Sequence, residues 1–234
     1  MTTKYAENYS KNYGKYFATL LLVLCLTVAL NACEEWRGKH EAPKGAGTAL
    51  ILIDLQWDYL QAEGARPVAQ TQVEPLIKAV NQMVAAANSN AVPIIYIEDE
   101  YSPFQFISDM SRNYAAMRYE QGAELDPRIS GVAGIYLTKD TTDAFSNPWL
   151  STQLESTLGA SHLVIAGVSV DRGVLETART ALARGYKVTV ISDAVAAESA
   201  EARQAELNEL KSAGAEITTS AEYIASLNAG AKNS

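Results

Sequence analysis

Thiols are almost missing from this chain. Of 234 residues only Cys25 and Cys33 are cysteine. Residues 34–234 therefore have no disulfide to staple them and no thiolate to act as nucleophile. Histidine is nearly as scarce, with His40 and His162 alone. A histidine-rich metal site and a Cys–His dyad are both excluded for the folded part. Basic residues number 19 against 27 acidic, a net charge of −8. That speaks against a nucleic-acid partner, whose phosphates demand a basic face. No G-x-G-x-x-G follows the first apolar run, so the dinucleotide fingerprint is missing and no cofactor is expected. No internal repeat is present. What remains is ordinary globular composition, 48% hydrophobic and 20% charged, which excludes a largely disordered chain.

Residues 1–15 carry Lys4, Lys11 and Lys15 against Glu7 alone, and an apolar run follows from Phe17 to Ala32. The run is short for a spanning helix and Glu34 and Glu35 follow it closely. It ends Leu30-Asn31-Ala32-Cys33, which resembles a bacterial lipobox, in which the cysteine is diacylated and becomes the first residue. Asn31 is not the usual small residue at its place. The alternative is an uncleaved anchor. The lipobox reading gives a signal peptide at 1–32, lipid on Cys33 and a membrane-anchored protein of the cell envelope, on the periplasmic or outer face. The mature chain would then carry 16 basic and 26 acidic residues, net −10. Residues 33–46 hold Gly, Pro and charge without apolar periodicity and read as a tether. His40 lies in it and is expected to be solvated. One domain is expected over 47–228, with a disordered tail at 229–234.

Within the domain, strands and helices take strict turns. TALILID (48–54), VPIIYIE (92–98), GIYLTK (134–139), HLVIAGV (162–168), YKVTVIS (186–192) and AEITT (215–219) read as strands. Helical spacing appears from Val73 to Ala87, Leu150 to Leu158, Val174 to Arg184, Ala200 to Ser212 and Ala221 to Leu227. This alternation means an α/β fold, a doubly wound, mostly parallel sheet of about six strands with helices on both faces. Ligands of such sheets gather at the carboxyl ends of the strands. There the sequence delivers Asp54, then Glu98 and Asp99, then Lys139, then Ser169 to Gly173 at a helix start, then Asp193. A carboxylate, an ammonium and a helix N-terminus would converge on one crevice. A structural ion pair is the alternative, but burying one without a purpose is costly.

The residues themselves resemble a family. ILIDLQWDYL is similar to the first-strand signature of the isochorismatase-like, or cysteine-hydrolase, superfamily, Asp-x-Gln-x-Asp-aromatic, with Asp54, Gln56, Asp58 and Tyr59 in those places. LTKDTTDAF resembles its Lys-x-x-x-x-Ala-Phe element, here Lys139, Ala144 and Phe145. VIAGVSVDRGVLETARTALARGYKVTVISDAVAA resembles its nucleophile strand, helix and next strand. GAEITTSAEYI is similar to its last strand and helix. The likeness covers roughly 47–227.

One position departs. The amidase members carry a catalytic cysteine two residues after the aspartate that is Asp171 here, and this chain has Gly173 there. The resemblance therefore points to the isochorismatase-type subgroup, which hydrolyses a vinyl ether and releases pyruvate. That reaction needs a proton delivered to carbon and then water, not a protein nucleophile. Asp54 becomes the expected general acid or base, and Lys139 orients it or binds a substrate carboxylate. Gly173 contributes backbone only. The turn at Ser169 to Gly173 is an expected anion site, and the family implies a cis peptide bond between Val168 and Ser169. Arg172 can contact a carboxylate or stand exposed at the helix start. Tyr101 and Phe145 are expected to line the substrate.

No metal is expected. Nicotinamidase-like members bind one through Asp-x-His after strand two, and here Asp99 is followed by Tyr101 where the imidazole would stand. The stretch 100–132 lacks clear periodicity but holds Tyr101, Met110, Tyr114, Met117 and Tyr119. It reads equally as a lid over a cyclic substrate and as a satellite cluster or homo-oligomer contact. Asp58 and Asp193 are expected to fix loops, and His162 to be a surface or capping residue. The expected partners are thus a small-molecule substrate and, through the lipid, a membrane. A compartment question stays open, since isochorismate is a cytoplasmic metabolite. A lipid-anchored binding protein that lost activity with the cysteine competes with the hydrolase, as does a divergent amidase.

Overall fold

The computed structural model describes residues 43–102, 106–130 and 133–230. Cys33 and the expected signal peptide lie outside these residues. Among the described residues, no helix is long and apolar enough to cross a membrane.

Strand β1 (Gly47–Ile53) is buried from Ala49 onward because both of its faces are covered. Leu50 and Leu52 point to one side, where they meet Val73, Leu76, Val80 and Met83 of helix α2 (Gln70–Ser89). Ala49, Ile51 and Ile53 point to the other, toward Ala178 of α5 (Leu175–Ala183) and Leu207 and Leu210 of α6 (Ala200–Ser212). The remaining helices are α1 (Trp57–Leu60), α3 (Phe106–Ser111), α4 (Pro148–Thr152) and α7 (Ser220–Gly230).

The other strands are β2 (Ile94–Asp99), β3 (Ile135–Lys139), β4 (Ala160–Val168), β5 (Lys187–Ala196) and β6 (Glu216–Thr218). The sheet order is β3-β2-β1-β4-β5-β6 and every neighbouring pair is parallel. The six-stranded α/β sheet expected from the sequence is therefore present. The chain starts at the centre, steps outward through β2 and β3, then returns to the far side of β1 for β4. The order reverses between β1 and β4, so the crevice opens at their carboxyl ends. The two strands approach closely there. A Cβ on Gly167 would lie 2.0 Å from the Ile53 carbonyl oxygen, and Gly167 has φ +130°.

Several boundaries differ from the sequence reading. β1 stops at Ile53, because Asp54 turns left-handed with φ +53°. β5 continues past Ser192 to Ala196, across an irregularity in its pairing with β4. The polar Asp193 is accommodated inside it by accepting bonds from the Ser220 N–H at 2.7 Å and the Ser220 hydroxyl at 2.6 Å. Asp193 thus fixes the start of α7 rather than ending a strand. α5 is preceded by a wide π-type turn over Val170–Val174. α7 reaches Gly230, two residues into the expected tail.

The β2–β3 connection is tied down on the sheet. It pairs Tyr101 with Met117 and Gln56 with Leu125 in isolated bridges. Ala115, Ala116 and Ile129 join the core on the α2 side.

Candidate active site

The site begins where β1 ends. A non-glycine residue with positive φ is uncommon, and aspartate is among the few that tolerate it. The turn is held by the Asp54 N–H, which donates to the Ile97 carbonyl at 2.8 Å. It carries the carboxyl group toward Lys139, the last residue of β3. The Lys139 ammonium donates to Asp54 Oδ2 at 2.8 Å and to Asp99 Oδ1. Three adjacent strands thus deliver Asp54, Asp99 and Lys139 to one point. Their side chains are 5%, 9% and 1% exposed, so water screens them little.

The Asp-x-Gln-x-Asp-aromatic signature is the scaffold of this trio. The Gln56 amide brackets the Asp99 backbone, donating to its carbonyl at 2.7 Å and accepting from its N–H at 2.8 Å. The Tyr59 hydroxyl donates to Asp99 Oδ2 at 2.7 Å. Asp58 accepts from the Ala65 N–H at 3.0 Å and the Ala116 N–H at 2.8 Å, which pins two loops at once.

One cation facing two acids sets the charge state. Burial, and then the neighbouring Asp99, push the Asp54 carboxyl up to about 8, against the pull of Lys139. Burial alone would lower Lys139, but Asp54 and Asp99 outweigh it and raise its pKa. Near neutral pH, Asp54 therefore holds a proton beside a charged lysine. Asp54 Oδ2 accepts the lysine bond, while Oδ1 is buried with no partner among the described residues.

A cavity of about 40 Å³ opens on the trio, and Tyr59, Tyr101, Ser169, Arg172 and Gly173 line it as well. The structure thus brings Asp54, Lys139, Gly173, Ser169, Arg172 and Tyr101 together as the sequence leads one to expect. The Val168–Ser169 bond is cis, also as the resemblance implies. The Ser169 hydroxyl donates to Asp171. A Cβ built on Gly173 would stand 2.8 Å from Asp54 Oδ2, so the bare backbone makes room for the carboxyl group.

Phe145 is placed elsewhere, and the expectation that it lines substrate is corrected. It is buried in the core between β1 and α5, with its ring 5.9 Å from that of Tyr186 and 4.5 Å from the Arg184 guanidinium. The spacing from Lys139 is satisfied by a packing role. His162 is half-buried between Thr48 and Thr189, far along β4 from the cavity.

Three lining residues escaped the sequence reading, Arg66, Arg112 and Thr142. Arg66 lies in the irregular stretch between α1 and α2 and Arg112 just after α3, where no periodicity marks them. Arg112 donates to Asp109 at 2.7 Å and stacks its guanidinium 3.6 Å over the Tyr101 ring. The residues do not fit a cation at the Asp-x-His place. Asp99 is engaged by Lys139 and Tyr59, and Tyr101 is already covered by a guanidinium. Among the described residues, no group of three or more His, Cys, Asp or Glu side chains is placed to hold a metal ion.

The chain is similar to known proteins. The isochorismatase domain family matches residues 48–222. An uncharacterized isochorismatase family protein of Bacillus subtilis, YaaI, is 29% identical over 181 residues, 76% of this chain and 97% of its own. A probable inactive nicotinamidase of Arabidopsis thaliana is 30% identical over 202 residues, covering 78% of this chain and 97% of its own. Among solved structures, a cysteine hydrolase from Pseudomonas syringae pv. phaseolicola superposes with a TM-score of 0.72 at 21% identity, over 81% of this chain and 97% of that one. A pyrazinamidase of Pyrococcus horikoshii in complex with zinc gives 0.65 at 26% identity, over 74% and 98%.

Proposed function

The chain belongs to the isochorismatase family, and on that premise we propose that it is a hydrolase working without a cysteine, with Asp54 as its proton donor and a small carboxylate-bearing vinyl ether as substrate. The observation that carries this is the Asp54 carboxyl group, buried, raised to about 8 and bonded to Lys139 directly beside Gly173. Gly173 stands in this reading where the amidase relatives place their nucleophile, and residues 34–234 offer no thiol elsewhere.

A protonated acid is what a vinyl ether requires. Asp54 gives its proton to the terminal alkene carbon, and the ether oxygen shares the resulting positive charge. Water adds to the oxocarbenium carbon and returns a proton to the Asp54 carboxylate. The hemiketal then breaks its carbon–oxygen bond, releasing an alcohol and a keto acid. Lys139 stabilises the carboxylate that exists between the two proton transfers. A binding protein that no longer turns over is the second reading. Gly173 favours it, and so does the likeness to an Arabidopsis nicotinamidase described as inactive.

The test is turnover of a panel of vinyl ethers and amides by the full-length protein. Vinyl-ether cleavage unaffected by iodoacetamide, and at least about a hundredfold slower in Asp54→Asn, supports the hydrolase. Equal rates in Asp54→Asn overturn the mechanism. Amide cleavage alone points to the divergent amidase, and no turnover on any member of the panel to the binding protein.

A further inference from the structure

The two acids of the trio meet different donors. Lys139 donates to Asp54 Oδ2 and to Asp99 Oδ1 alike, so it does not tell them apart. Tyr59 does. Its side chain belongs to a residue only 8% exposed, and its hydroxyl donates to Asp99 Oδ2 at 2.7 Å. Both oxygens of Asp99 therefore accept a bond, whereas Asp54 accepts one and keeps Oδ1 without a partner among the described residues. Hydrogen bonds donated to a carboxylate favour its charged form. A buried oxygen with no donor favours the protonated form instead. Gln56 grips the Asp99 backbone at its carbonyl and its N–H, which fixes the strand end from which that carboxylate projects.

We propose that Tyr59 is a positioning residue, whose hydroxyl keeps Asp99 as the carboxylate of the pair and so leaves their one proton on Asp54, beside the cavity. This role rests on the hydrolase reading only in taking Asp54 as the acid. With the proton there, charge stands on Lys139 and Asp99 and the trio is neutral overall. The opposite placing, a proton on Asp99 and a bare Asp54 carboxylate, would make Asp54 a base and leave a vinyl ether without its acid. Other groups face Asp99 as well. Asp54 comes from the end of β1, Lys139 from β3 and Tyr101 from beyond β2, where its phenol also acts on Asp99. Arg66, Arg112 and Arg172 stand around the same cavity, with Asp171 acting on Arg66. Burial, and then Asp99, push the Tyr59 phenol far above its ordinary range, so it stays a donor. Asp99 is in turn the neighbour that joins burial in raising Asp54, so what anchors the Asp99 charge also anchors the Asp54 proton.

The experiment follows the proton by carbon NMR of the full-length protein in detergent, labelled at the aspartate carboxyl carbon. Asp54→Asn and Asp99→Asn assign the two signals. In the parent near pH 7, Asp54 should give the signal of an acid and Asp99 that of a carboxylate. In Tyr59→Phe, Asp99 should take up its proton about one pH unit or more higher than in the parent, about a tenfold change in that equilibrium. A fluorotyrosine in place of Tyr59 keeps the shape and is a stronger donor, so it should move the Asp99 midpoint lower. That arm stands even where the phenylalanine variant does not fold. Either shift supports the role, since a residue that only packs would lower the melting temperature and leave the Asp99 midpoint alone. A proton found on Asp99 in the parent, or an Asp99 midpoint unmoved in every folded Tyr59 variant, overturns it. Shifted midpoints without turnover of any vinyl ether leave the Tyr59 role standing and remove the hydrolase. Turnover that is lost in Asp54→Asn, with the Asp99 midpoint unmoved by either change at Tyr59, does the reverse.

Discussion

In an unfolded chain the Asp54 carboxyl ionises near 3.8, and folding moves it to about 8. A folded-state pKa raised in this way favours folding fully below about 4, and that contribution is lost as pH rises through about 8. The Asp54 proton is therefore held by burial against the pull of Lys139. Asparagine keeps the shape and the left-handed backbone but has no proton to lose. Asp54→Asn should then be more stable than the parent at pH 8, by on the order of 1 kcal/mol or more, and the gap should narrow toward pH 5. Urea melts at the two pH values check this, and a gap that widens toward pH 5 refutes the protonated state. Turnover should fall about tenfold per pH unit above about 8, as the acid form is depleted. Asp54, Lys139 and Gly173 were legible in the sequence because strand ends and a family pattern both mark them. Arg66 was not. It follows Ala65, whose N–H donates to Asp58 of α1, a helix-to-loop contact that no periodicity encodes.

At the scale of elements, the β2–β3 connection was the least legible part. Its residues do not repeat at helical or strand spacing, because polar side chains fix them more than a shared apolar face does. Arg128 shows how. It donates to Asp126 at 2.8 Å, to Glu74 at 2.8 Å and to the Leu60 carbonyl at 3.2 Å, joining the connection to α1 and α2. Burial would push the Asp126 carboxyl up, but its bonds from Arg128 outweigh that and hold it below the usual range. A depressed carboxylate favours folding above its unfolded pKa, near 3.8, and the contribution disappears as pH falls below that. Arg128→Ala should cost about 2 kcal/mol at pH 7 and clearly less near pH 2, below the unfolded pKa of Asp126. Denaturation at both pH values reads this directly. By contrast, the buried strands and α2 were legible because continuous apolar runs and a 3.6-residue stripe leave little choice. β5 was cut short because Asp193 looked like an end, when its carboxylate is satisfied by Ser220 from the next layer.

For the molecule as a whole, we propose that the domain is carried on a lipid at Cys33, from the apolar run that ends in Leu-Asn-Ala-Cys. Mass spectrometry of the membrane fraction should find a lipid-modified peptide beginning at Cys33, and an intact Met1 in a soluble fraction would refute it. Such a chain would face substrates outside the cytoplasm.

The Lys139 contact with both Asp54 and Asp99 also ties the ends of three strands together. Removing the lysine would leave two buried acids facing one another, a cost to folding whether or not any bond is ever broken.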